Sequence, residues 1–128
     1  MQGAARADSC TGDAACAGNL SRIGTDSCNG QLACNLNTGN PIGDNSCHNN
    51  SACYENSGAV GDNSCWGVEA CAGNQASVGD NSCHRNSACE DNSGTIAKNA
   101  CNGERACKTT PWIFPKGLVM AIRTLSPA

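Results

Sequence analysis

The sequence has few large apolar side chains. Leu, Ile, Val and Phe together number 15 of the 128 residues, and aromatic residues make up 3% of the chain. In ordinary globular domains these four residue types account for more than about a fifth of the chain. The shortage excludes a conventional oily core, so another kind of interaction must order this chain.

Neither sign of charge is in large excess. The formal net charge is -3, with 8 Lys and Arg against 11 Asp and Glu. Disordered chains combine low hydrophobicity with a strong net charge, and nucleic-acid-binding domains carry a clear basic excess. We therefore expect a folded chain without a nucleic-acid partner.

Long apolar runs are also missing. No stretch approaches the roughly 18 to 20 apolar residues that span a bilayer, and residues 1–6 lack the apolar segment of a signal peptide. We expect a soluble chain with no membrane partner. Whether a signal peptide has been removed stays open.

What the sequence does have is cysteine. Six copies of Cys-x5-Cys begin 18, 19, 18, 18 and 18 residues apart, which is the regular spacing of a repeat array. This density of cysteine is typical of disulfide scaffolds in oxidising compartments, so we expect an extracellular or other oxidising location. The twelve residues are Cys10, Cys16, Cys28, Cys34, Cys47, Cys53, Cys65, Cys71, Cys83, Cys89, Cys101 and Cys107.

Four columns of the repeat are nearly uniform, and three six-residue segments make up one 18-residue unit. The columns are Ser9, Ser27, Ser46, Ser64, Ser82 and Ala100; Ala15, Ala33, Ala52, Ala70, Ala88 and Ala106; Ile23, Ile42, Val60, Val78 and Ile96; and Asn19, Asn37, Asn56, Asn74 and Asn92. Residues that recur in this way are expected to stack on their own copies, about 4.8 Å apart, as in a β-solenoid. We predict an all-β fold over residues 1–108, a β-solenoid (β-helix) of six 18-residue triangular coils.

Two resemblances accompany this pattern. The segment from Ile42 to Cys47, and similar segments that begin at Ile23, Val60 and Val78, resemble the hexapeptide motif of left-handed triangular β-helices. That resemblance implies left-handed coils, but it covers one hexad in three, so right-handed coils stay open. The Cys-x5-Cys unit with small residues inside resembles the beetle antifreeze proteins, whose coils are each crossed by a disulfide.

The cysteines can pair in two ways. Pairing within a coil gives every unit an identical bond, and we favour it for that reason. Pairing between coils stays open, because stacked cysteines such as Cys47 and Cys65 would lie about 4.8 Å apart, inside the range that disulfides allow. Reduced thiols that bind a soft metal are a third alternative. Since structural zinc sites use shorter cysteine spacings, we expect no metal and no cofactor.

Two outward columns vary from repeat to repeat, and a partner would be recognised there. The candidates for partner contact are Tyr54, Trp66, His48 and His84, because aromatic residues are enriched at interfaces. Ordinary surface variation is the alternative. In another column Asp44, Asp62 and Asp80 stack, which predicts either a solvated acidic edge or a bound cation, since like charges in register repel.

Residues 109–128 differ in composition from the repeats and hold three of the four prolines. Because an open end of a stacked repeat array invites aggregation, we predict that this segment is a C-terminal cap. Self-association through residues 111–128 is the alternative.

The functional prediction is a non-catalytic one. The hexapeptide resemblance implies acyltransferase activity, but His48 and His84 have no partnered nucleophile and no carboxylate that would orient them, so we expect no enzyme and no catalytic residues. We expect a structural or surface-recognition repeat protein, a rigid disulfide-stabilised rod. The alternative, implied by the antifreeze resemblance, is an ice-binding face made of Ser, Asn and Asp, because the threonines never share a column.

Overall fold

The structure, a computed structural model, describes residues 9–38 and 40–108. Within these residues there is no helix and no strand longer than one residue. Extended pairing is confined to a single column, in which isolated parallel bridges join Ile23, Ile42, Val60, Val78 and Ile96 in succession. The predicted all-β solenoid of triangular coils is therefore wrong, and the repeats are stacked turns. The predicted cap over 109–128 lies outside the described residues.

Left-handed backbone explains why strands do not form. In the repeat around Cys47, the φ angles of Asn45, Cys47, Ser51 and Glu55 are 56°, 58°, 56° and 56°. The same four positions are left-handed in the other interior repeats. Strands need φ near -120°, so a left-handed residue every few positions interrupts any extended run. The six-residue rhythm of the sequence reflects these turns.

The left-handed residues also connect neighbouring repeats. The N–H groups of Asn45, Ser51 and Glu55 donate to carbonyl oxygens of the preceding repeat at 2.8, 2.8 and 2.9 Å. The N–H of Cys47 instead donates to the following repeat, to the backbone carbonyl of Ser64 at 3.0 Å. The left-handed conformation thus points these N–H groups along the stack, toward a neighbouring repeat. These hydrogen bonds pair the backbone N–H and C=O groups that a sheet would otherwise pair.

Each described repeat closes on itself through tight turns. Ala33 N–H donates to the Gly30 carbonyl at 3.1 Å, and Leu32, at the third position of that turn, has a φ of 58°. This is the type II arrangement, which places the left-handed residue third. The turn is followed at once by a buried Cys, so the chain reverses around the disulfide.

Six disulfides fill the centre of the stack. Each joins the two cysteines of one repeat, with Cα atoms 5.5 to 5.7 Å apart, and no free cysteine remains. The pairing is the one that gives every repeat the same bond. Sulfur and alanine methyl groups here occupy the place that large aliphatic side chains take in other proteins, which is how a chain with so few of them builds an interior.

The predicted asparagine column is confirmed as a buried ladder. Asn56 Nδ2 donates to Asn37 Oδ1 at 2.8 Å, and Asn74 Nδ2 donates to Asn56 Oδ1 at 2.8 Å. The same Nδ2 of Asn56 donates to the Gly58 carbonyl at 2.6 Å, and Asn56 Oδ1 accepts the Gly58 N–H. The amides are therefore paired along the stack and across a turn, as buried polar groups require.

Candidate recognition surface

Three of the four predicted contact residues lie in one column, directly after the first cysteine of their repeats. The ring centroids of His48 and Trp66 are 5.4 Å apart in an edge-on arrangement, and those of Trp66 and His84 are 5.5 Å apart with the planes 17° from parallel. Such distances are typical of favourable ring pairs. We call His48, Trp66 and His84 the ring column.

Hydrogen bonds hold the ring column in place. Trp66 Nε1 donates to the Asn45 carbonyl at 2.7 Å, and His84 Nε2 lies 2.6 Å from the Asn63 carbonyl oxygen. Both bonds reach back to the same position of the preceding repeat. Because a carbonyl oxygen only accepts, Nε2 of His84 carries a hydrogen. The indole and this imidazole are therefore fixed before any partner arrives.

The ring column leaves the edge of the indole at the surface. His84 lies parallel to the indole from one neighbouring repeat, and His48 meets it from the other. Trp66 nevertheless stays 38% exposed. The indole thus has an imidazole against it on each side along the stack, and a partner surface can contact its exposed part.

A shallow cleft of about 340 Å³ lies beside Trp66 and His84. Its charged members are Arg85 and Glu104, both of which are exposed. Within the described part of the chain the one ion pair is Lys108 with Glu90, 3.6 Å apart, so the Arg85 guanidinium has no carboxylate partner there. The cleft combines an indole edge, a cation and amides, and its other lining residues are Asn49, Gly67 and Asn86.

Tyr54 does not join this surface. It lies in the other variable column, directly after the second cysteine of its repeat, where it is half-buried. No ring contact links it to the ring column among the described residues. The structure therefore groups His48, Trp66 and His84 and separates Tyr54 from them.

The aspartate column has a structural role that the sequence did not reveal. Asp44 Oδ1 accepts the Thr25 N–H at 2.9 Å, and Asp62 Oδ1 accepts the Asp44 N–H at 2.8 Å. Asp80 Oδ1 repeats the bond with the Asp62 N–H at 2.9 Å. Each carboxylate thus binds a backbone donor of the preceding repeat, and such bonds to an ionised acceptor offset the repulsion of stacked like charges.

Comparison with known sequences places this repeat in a family. Residues 1–106 match the domain of unknown function DUF7640. The chain belongs to the DUF7640 family. No curated protein and no solved structure matches it. The family match covers the first five Cys-x5-Cys repeats and most of the sixth, and with the regular disulfides and stacked amides it supports a repeat architecture for this DUF7640 domain. It does not confirm the resemblance to beetle antifreeze proteins.

The DUF7640 repeats use their cysteines as disulfides. The sulfur atoms of Cys28, Cys34 and Cys47 lie within 4.8 Å of one another, a spacing close enough for a metal. All three are oxidised to disulfides, and a disulfide offers no thiolate ligand. Many disulfides are consistent with an oxidising location. Within the described residues no helix is long and apolar enough to cross a membrane.

Proposed function

We propose that this DUF7640 chain is a non-catalytic recognition protein of an extracellular or other oxidising compartment. The repeat stack is a rigid, disulfide-braced support, and the ring column with its cleft is the contact surface. The observation that carries the proposal is the fixed, exposed indole edge of Trp66 beside Arg85. Trp and Arg are the residue types most enriched among the energetically dominant contacts of interfaces.

The chemistry of the described residues supports binding rather than catalysis. The cysteines are oxidised, His84 Nε2 is engaged by a backbone carbonyl, and His48 Nε2 lies 2.9 Å from Asn45 Oδ1. Among the described residues neither imidazole is paired with a nucleophilic side chain, a pairing that nucleophilic catalysis uses. The imidazoles instead hold the indole in position.

The partner that fits this surface is a protein rather than a flat sugar ring. An imidazole lies against the indole on each side along the stack, which restricts the approach of a pyranose to its faces. An edge contact flanked by Arg85 and Glu104 suits a protein surface with an apolar contact point and charges of both signs around it.

The proposal is tested by screening the oxidised full chain against an array of extracellular protein domains, with a glycan array in parallel. We expect a protein ligand whose affinity falls at least about tenfold in Trp66→Ala, as for a dominant contact. Leu20→Ala is the matched control, because Leu20 is an exposed apolar residue outside the cleft, with 60% of its surface accessible. Equal binding by all three proteins, or binding to glycans alone, overturns the proposal.

Ice binding is the second candidate, favoured by one regular feature. Asp44, Asp62 and Asp80 form a column beside that of Asn45, Asn63 and Asn81, and Asn45 Nδ2 donates to Asn63 Oδ1 at 2.7 Å. Two adjacent polar columns thus recur in repeats three to five. An ice-recrystallisation assay at micromolar protein tests this candidate, and unaltered crystal growth removes it.

A further inference from the structure

Two columns of the repeat make close contacts with the repeat that follows, and repeat six departs from both. The first is the glycine column Gly24, Gly43, Gly61 and Gly79, which directly follows the bridging aliphatic residue. A Cβ on Gly43 would lie 2.7 Å from the Gly61 carbonyl carbon, and one on Gly79 would lie 2.7 Å from that of Ala97. Non-bonded contacts of a Cβ atom are essentially never this short, so each glycine makes room for the next repeat. In repeat six the residue is Ala97.

The second column is the buried serine one. Ser64 Oγ donates to the Gly79 carbonyl of the next repeat at 2.8 Å and accepts the Ser82 N–H at 3.1 Å. Ser82 does the same toward repeat six, with the Ala97 carbonyl at 2.8 Å and the Ala100 N–H at 3.0 Å. In repeat six the residue is Ala100, which has no hydroxyl and is fully buried.

We infer that repeat six, residues 96–108, is a terminating repeat that closes this end of the stack to a further repeat, whether from an extended chain or from a second copy of this protein. Ala97 places a methyl group where the backbone of a seventh repeat would run. Ala100 removes the hydroxyl that would bind that repeat's carbonyl and N–H. The two changes are three residues apart, and both face the side on which a seventh repeat would stack.

Ala97 and Ala100 thus act against end-to-end growth. The interior repeats carry the same residue types in the columns that contact the next repeat. An open end that kept glycine and serine in these columns would therefore bind the end of another copy of the protein. Repeat six can therefore stack on repeat five, but a further repeat cannot stack on repeat six.

The test inserts a seventh repeat. A second copy of residues 73–90, placed between Lys108 and Thr109 of the full chain, keeps every column in register and carries its own Cys-x5-Cys pair. One version has Ala97 and Ala100, and the other has Ala97→Gly and Ala100→Ser. Hydrogen exchange of the inserted residues is measured by mass spectrometry after the disulfides have been mapped.

We expect the inserted residues to be protected at least about tenfold more strongly in the version with Ala97→Gly and Ala100→Ser, because only that version leaves room for their backbone and offers them the serine hydroxyl. Equal protection in both versions overturns the inference. The same double substitution without the insertion is the control, and it should not raise protection anywhere in repeat six.

A second variant, made in the chain without the insertion, tests the inference even if the inserted repeat fails to fold. Gly79→Ala with Ser82→Ala moves the two features of repeat six into repeat five of the uninserted chain. We expect residues 96–108 to lose at least about tenfold in protection while residues 23–60 keep theirs. Unchanged protection of repeat six would contradict the inference.

Discussion

At the scale of single residues, the structure depends on polar side chains that are buried and fully paired. Asn56 is the clearest case, since it makes four hydrogen bonds through one amide. Two of these bonds join it to the asparagines of the adjacent repeats. An amide in this position links three repeats at once, which an aliphatic side chain of the same size would not do.

We predict that Asn56→Ala destabilises the protein by about 3 kcal/mol. The substitution leaves Asn37 Oδ1 and one hydrogen of Asn74 Nδ2 without their partner, and each buried unpaired group costs about 1 to 3 kcal/mol. The measurement is urea unfolding under non-reducing conditions.

Asn35→Ala is the matched control for this prediction. Asn35 Nδ2 makes one bond at the surface, to the Ala14 carbonyl at 3.2 Å, so its loss should cost only about 0.5 kcal/mol. If the two variants lose the same free energy of unfolding, the hydrogen bonds of the asparagine ladder do not stabilise the protein as their geometry indicates.

At the scale of one repeat, the element is a set of turns closed around a disulfide. A closed loop of seven residues lowers the entropy of the unfolded chain by an amount worth about 2.4 kcal/mol. Cys65 and Cys71 are fully buried between repeats on both sides, whereas Cys16, in the first repeat, retains 8% exposure and Cys10 is only partly buried. The six bonds are chemically alike but differ in their surroundings.

We predict that removing the interior disulfide with Cys65→Ala and Cys71→Ala costs about 2 to 5 kcal/mol. Removing the terminal one with Cys10→Ala and Cys16→Ala should cost less, because repeat one has a described neighbour on one side only and its opening leaves the other contacts intact. Urea unfolding of both double variants measures the difference. A terminal loss as large as the interior loss would be evidence against a stack in which each repeat supports the next.

At the scale of the whole molecule, disulfides and hydrogen bonds between repeats take the place of an oily core. The described interior has five large aliphatic side chains, one in each of repeats two to six, in the column from Ile23 to Ile96. Burial of each contributes only about 2 kcal/mol, so the bridging column alone does not outweigh the entropy of ordering the chain.

We predict that reduction unfolds the protein. After treatment with thiol and capping of the cysteines, the N–H groups of Cys34, Cys53 and Cys71, each of which donates to the preceding repeat at 2.6 Å, should exchange at unprotected rates. The oxidised protein under the same conditions is the control. Retained protection after complete capping would show that the stacked columns suffice without the disulfides.

The sequence by itself determined the length of the repeat, the number of repeats and which residues stack in columns. These follow from a simple physical rule: when identical units stack, each residue meets its own copy, so a buried column keeps one residue type. The serine, alanine and asparagine columns were readable for that reason. The sequence also predicted that His48, Trp66 and His84 share a column, because consecutive members are one repeat apart.

Only the tertiary structure decided the path of the backbone between those columns. Periodicity shows that residues stack but not whether φ is near -120° or near +56°, and Asn45, Ser51 and Glu55 adopt the second value because their N–H groups then reach the preceding repeat. That choice replaced the expected strands with turns. Contacts between repeats likewise decided that the Asp44 carboxylate binds a backbone donor and that the rings of His48 and His84 flank the Trp66 indole, since both depend on atoms about 18 residues away along the chain.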